Sequence, residues 1–95
     1  MDLPYFHGIK DLYVYLKWVQ QMEEIFSSLK IYYDFQKCRI ATHKFFGHAT
    51  IWWEDLMSLQ RINGYSKVRN WEVMKRFMNR HFIPQDVRDK FYIKL

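Results

Sequence analysis

An all-α fold is what this chain of 95 residues predicts, and three observations carry the prediction. Apolar residues recur at three- and four-residue spacing through successive stretches, the period of a helix face. Strict alternation of polar and apolar residues is absent, and Val, Ile and Thr are sparse, so strands have no support. Residues that start helices (Asp11, Asp34, Asn70) and residues that stop them (Gly47, Asn63-Gly64, Pro84) stand at the ends of those stretches.

The segment Leu3-Pro4-Tyr5-Phe6-His7-Gly8 reads as an extended arm, because Pro4 disfavours helix at Leu3 and Gly8 punctuates the chain before Asp11. Tyr5 and Phe6 are expected to pack on the helices and tie the arm down. The clearest helix runs from the Asp11 cap to about Leu29. At about 100° per residue, Leu12, Val14, Tyr15, Trp18, Val19, Met22, Ile25, Phe26 and Leu29 share one side, while Lys17, Gln20, Gln21, Glu24, Ser27 and Ser28 share the other. An apolar arc this wide predicts contact with more than one neighbouring helix, hence a bundle.

Lys30 to Tyr33 connects to a second helix, with Asp34 as its expected cap and Cys38, Ala41 and Phe45 as buried positions. Gly47 breaks the chain. A third helix starts near His48, with Ala49, Trp52, Trp53, Leu56 and Leu59 or Gln60 recurring on one face, and it ends at Asn63-Gly64. Asn70 caps a fourth helix carrying Val73, Met74, Phe77, Met78 and Phe82, which Pro84 ends. Gln85-Asp86 opens a fifth, with Val87, Phe91 and Leu95 in line. No stop signal follows Leu95, which suggests a chain cut from a longer one.

Composition bounds the function. Hydrophobic residues make up 49% and charged residues 26%, enough for one packed core with a solvated surface and too apolar for disorder. A chain this short is a single domain by the usual size of about 100–150 residues. Cys38 is the only cysteine, so no disulfide framework can form and an intracellular setting is expected. The apolar runs fall far short of the roughly 20 residues that cross a bilayer, and the start lacks a signal-peptide layout, so no membrane partner is expected. Net charge is +5, and all of the excess lies late: residues 1–66 hold seven basic and seven acidic residues, residues 67–95 eight and three. That asymmetry suits a nucleic-acid or acidic-partner surface, although on helices it is more often a solvated face.

Chemistry is not signalled. His43 and His48 straddle Gly47, and His7 and His81 lack ligand partners one helical turn away, so no metal site is expected. Glu23-Glu24 and Glu54-Asp55 are adjacent pairs, which diverge on a helix and cannot share a proton or metal easily. No nucleophile motif and no phosphate-cradling loop occurs among three glycines. No catalytic residue, cofactor or small-molecule substrate is expected.

Read in order, Pro4-x-Phe6-x-Gly8, Tyr15-Leu16-x-Trp18, Met22-Glu23-x-x-Phe26, Lys37-x-x-Ile40-Ala41, Gly47-x-Ala49-x-x-Trp52-Trp53, Trp71-Glu72-x-Met74-Lys75 and Arg80-x-Phe82-x-Pro84 cover nearly the whole chain. In this order they resemble the retrotransposon Gag domain, the capsid region of gypsy-type long-terminal-repeat elements, plant versions in particular. The N-terminal lobe of the neuronal protein Arc, a domesticated Gag, is similar and has a comparable Ala-x-x-Trp-Trp helix. The resemblance implies an extended arm over 1–10, a four-helix capsid N-terminal lobe over 11–83, and in 84–95 the fifth helix that begins the next lobe. It also implies self-association as a homo-oligomer, a cytoplasmic virus-like particle and packaged element RNA. The family's zinc knuckle cannot be built from one Cys, and Cys38 stands where an aliphatic residue is more usual.

Several residues then become expectations to test. Trp18, Phe26, Trp52, Leu56, Trp71 and Phe77 are expected to anchor the core, with the Trp pair at its centre and Trp18 and Trp71 nearby. Trp53 points about 100° away from Trp52, and two readings stay open: core, or the wall of a groove that binds hydrophobic peptides. Tyr5 and Phe6 could line or fill that groove. Lys75, Arg76 and Arg80, one turn apart on the fourth helix, are the expected contacts for RNA or an acidic partner.

Overall fold

Capping side chains set the helix starts. Asp11 holds an extended backbone and its carboxylate accepts the Val14 N–H at 3.1 Å, opening α1 over Leu12–Ser28. In the same way the Asn70 side chain accepts the Val73 N–H at 3.1 Å and opens α4 over Trp71–Phe82. Between them lie α2 (Asp34–His43) and α3 (His48–Ile62), and α5 (Gln85–Phe91) follows. The computed structural model describes residues 3–91, and all helices within them are these five; the β-pairing there is one isolated bridge. The fold is all-α.

Two local expectations need correction. Asp34 is the first residue of α2 and not its cap; Tyr33 occupies the cap position without a side-chain hydrogen bond, and the Asp34 carboxylate accepts instead from Asn70 Nδ2 at 3.2 Å. An acid in the first turn still favours the helix through the backbone dipole. The apolar arc of α1 is narrower than the wheel suggests. Tyr15, Trp18, Met22, Ile25 and Phe26 are buried, whereas Val14 and Leu29 are exposed. Leu29 has left the helix as its C-cap, and Lys30 takes a left-handed φ of 56° as the chain turns, with Ile31 N–H donating to Phe26 C=O at 2.8 Å.

The arm is the centre of the core. Phe6 is 1% exposed, stacks on Trp18 at 5.0 Å, and meets Tyr15, Phe45 and Phe82 at 5.8, 6.1 and 4.9 Å between ring centroids. Its backbone pairs in parallel with the α2–α3 turn: Phe6 N–H donates to Lys44 C=O at 2.8 Å, and Phe46 N–H to Phe6 C=O at 3.1 Å. Trp18 Nε1 donates to Pro4 C=O at 2.9 Å, so the first helix holds the arm from the other side. Burying one such aromatic is worth about 1.5–3 kcal/mol.

Glycine makes this close approach possible. Gly8 has φ +90°, and a Cβ there would lie 2.6 Å from the backbone nitrogen of Ala49, whose N–H is bonded to His7 C=O at 2.9 Å. No side chain fits between the arm and the start of α3 without parting them.

The Trp pair is therefore beside the centre and not at it. Trp53 is buried at 8% and touches Phe45 and Phe77, while Trp52 and Leu56 are half-buried and Leu59 is exposed. Trp18 packs in the Phe6 cluster, and Trp71 packs edge-on to Phe26 with its Nε1 donating to the Glu23 carboxylate. The reason is that a buried arm supplies a ring the helices alone would have had to provide. On α4, Trp71, Met74, Met78 and Phe82 form the buried stripe and Phe77 is half-buried. Val87 of α5 packs against the core; the Phe91 and Leu95 side chains lie outside the described residues.

Candidate functional site

A groove of about 730 Å³ opens between α2, α3 and the connection to α4. The connection exists because α3 ends at Asn63 and Gly64, where φ of +83° turns the chain and Tyr65 N–H folds back to Gln60 C=O at 2.9 Å. From there residues 65–70 run without helix to the Asn70 cap. Asn70 Nδ2 reaching Asp34 ties the end of that connection to the start of α2.

Phe35, Cys38, Arg39 and Thr42 come from α2, Trp53, Met57, Gln60 and Arg61 from α3, and Tyr65, Lys67 and Val68 from the connection. Trp53, Cys38 and Met57 give an apolar floor. The two readings of Trp53 thus merge: it is core by burial, and its remaining edge is the groove floor. A second, shallower recess of about 520 Å³ lies along the same connection, shares Tyr65, Lys67 and Val68, and adds Arg69.

Positive charge collects on the rim. Arg39, Lys67 and Arg69 stand over the Phe35 ring at 6.0, 5.5 and 5.3 Å from its centroid, and Arg61 lines the groove beside them. The ring's negative face holds the cations there. Among the described residues none of these four has an ion pair; the ion pairs found there both belong to Lys75. Glu54 is the one acidic lining residue. Cys38 has a thiol pushed up to about 11, by burial first and the Asp34 charge second, so it stays protonated at neutral pH and is no nucleophile.

The residues singled out from the sequence separate in space. Phe6 is a core residue closed to any partner, contrary to its reading as a groove or interface residue. Tyr5 is 65% exposed, edge-on to Phe46 with the Lys44 ammonium over its ring at 4.4 Å. Lys75 is engaged by carboxylates. Its ammonium pairs with Glu72 at 2.9 Å and Glu23 at 3.4 Å and lies over Trp71, where it balances carboxylates on two helices. Arg76 and Arg80 are exposed on α4.

Another feature flanks α3. His81 stacks on Trp52 at 4.7 Å and on His48 at 6.1 Å. Its pKa is lowered to about 4, by burial first and then by the Lys10 and His48 charges. Neutral at physiological pH, it serves as a packing plate. No group of three or more metal-ligating side chains occurs among the described residues. No helix there is long and apolar enough to cross a membrane.

Residue-by-residue reading missed the cationic rim. Arg39, Arg61, Lys67 and Arg69 come from three separate elements and stand singly or two apart, as in Lys67-Val68-Arg69, so no continuous basic run marks them. The faint signal was Phe35, an aromatic on the first turn of a helix, one turn before Cys38.

The described residues form an all-α lobe closed by its own extended arm. The chain belongs to the family of the N-terminal capsid-like domain of the retrotransposon-derived protein PEG10, whose family model matches residues 1–83. It is thus a Gag-derived capsid domain, of a structural and not a catalytic family. No curated protein and no solved structure matches the chain.

Proposed function

We propose that this lobe is the N-terminal half of a two-lobe Gag capsid protein that self-associates into a cytoplasmic particle enclosing element RNA. The observation that carries it is the family match over 1–83. That match stops one residue before the Pro84 boundary, which supports reading 84–95 as the start of a C-terminal lobe.

The surface suits repeated weak contacts. Tyr13 on α1, Tyr32 and Tyr33 before α2, Ile51 on α3 and Ile62 at its end are all at least 60% exposed. They are distributed over several elements and do not pool into one helix face. Scattered apolar side chains give little affinity singly, and multiplicity in a shell supplies the rest.

Electron microscopy of the full-length parent protein tests the proposal. Particles that disappear when Tyr13, Ile51 and Ile62 are all changed to Ser are the expected result; soluble monomers at every concentration and salt would overturn it. Removing the arm would take Phe6 out of the core, so the alternative of a peptide-binding module rests on the groove beside Trp53 and not on displacement of the arm.

A further inference from the structure

We propose that the groove between α2, α3 and the α3–α4 connection is a binding track for single-stranded nucleic acid, with Arg39, Arg61, Lys67 and Arg69 meeting phosphates and Phe35 and Tyr65 meeting bases. This deepens the RNA-enclosing reading and moves its site from α4 to the groove.

Three observations lead there. Arg39, Arg61 and Lys67 line the groove and Arg69 the adjoining recess, none with an ion pair among the described residues, and three of the four share the Phe35 ring. Like charges drawn together from separate elements repel one another, and a polyanion relieves that repulsion. Acids are few beside them: Glu54 lines the groove without an ion pair, and Asp34 at the start of α2 accepts a hydrogen bond from Asn70.

Shape is the second observation. The deeper groove and the shallower recess adjoin along Tyr65–Val68, making a track and not a single socket. A strand of phosphates can follow such a track.

Exposed flat rings beside the cations are the third. Tyr65 is 65% exposed and leaves a ring face for sequence-tolerant stacking, and Phe35, 38% exposed, carries guanidinium groups on which a base also stacks. An acidic peptide fits less well. It would pair with the cations but brings no planar bases to the exposed ring of Tyr65.

The test uses the whole chain and fluorescently labelled oligo(U), read by anisotropy across a salt series. Neutralising four phosphates should give a slope of log affinity against log salt of about −3. Arg39→Glu with Lys67→Glu should weaken binding on the order of tenfold or more and flatten the slope, while Arg76→Glu with Arg80→Glu on α4 leaves both unchanged. Phe35→Leu should weaken binding with the slope retained. A circular dichroism melt on each variant confirms that it folds. The proposal is overturned if oligo(U) does not bind, if α4 reversal matters as much as groove reversal, or if a Glu-rich peptide of equal charge displaces the oligonucleotide at equal concentration, which would point to an acidic protein partner. Because this measures the isolated chain, its outcome is independent of whether the parent forms particles.

Discussion

The aromatic cluster around the arm and the aromatic side chains of the groove have opposite characters. On the arm side, Phe6, Tyr15, Trp18 and Phe82 are at most 3% exposed, and their polar atoms are satisfied: Tyr15 Oη donates to Asn79 and Trp18 Nε1 to Pro4 C=O. On the groove side, Phe35 and Tyr65 remain exposed and Phe35 is surrounded by cations without ion pairs among the described residues. The same residue type does two jobs. Where neutral apolar neighbours and backbone donors close around a ring it stabilises the fold; where cations gather over it, it shapes a surface that a folded lobe does not need for itself.

The largest effect should come from emptying the closed cluster. Phe6→Ala removes the shared ring and should cost about 3–5 kcal/mol, read as a lower denaturation midpoint in urea. If the loss were under about 1 kcal/mol, the arm would not be integral to the core, and the contrast between the two sides would collapse.

A smaller loss is expected where the groove connection joins α4. Asn70→Ala deletes both the cap to Val73 N–H and the link to Asp34, for about 1 kcal/mol. Thermal melts should register it, and oligo(U) binding should also weaken, because the freed Asp34 carboxylate no longer has its partner beside the cationic rim.

His81 gives a pH signature to the closed side. Its folded pKa of about 4 lies below the ordinary 6.5. Between those values the unfolded chain binds the proton and the folded chain does not, so stability is complete above pH 6.5 and falls as pH drops toward 4. Partial exposure limits the size. The melting temperature of the native chain should therefore decline across this window more steeply than that of His81→Gln, and parallel declines would show that the stacked imidazole is not responsible.

The smallest stability effect belongs to the open side. Arg39→Glu and Lys67→Glu, singly, should shift unfolding by no more than about 0.5 kcal/mol, even though they disturb the cation cluster. A loss comparable to that of Phe6→Ala would make the rim part of the fold and remove the distinction drawn here.

How far the sequence reached differs between the same two regions. Helix starts at Asp11 and Asn70, the end at Asn63-Gly64 and the buried positions Cys38, Ala41 and Phe45 were legible, because caps, positive-φ residues and periodicity act within a few residues of chain. Trp18, Phe26 and Trp71 are buried, but Trp52, Leu56 and Phe77 are only partly so. A wheel gives the direction of a side chain, not what stands opposite it. The same gap hid the engagement of Lys75: Glu72 is one turn away, but Glu23 comes from α1.

The sequence alone determined the all-α class, the helix register and, through ordered motifs from Pro4 to Pro84, the family. Only the tertiary structure decided that Phe6 is the hub of the core, that Trp53 is both core and groove floor, and that Arg39, Arg61, Lys67 and Arg69 share one rim. Local structure answers to neighbours along the chain; burial and charge clustering answer to neighbours in space, which here come from as far apart as Phe6 and Phe82.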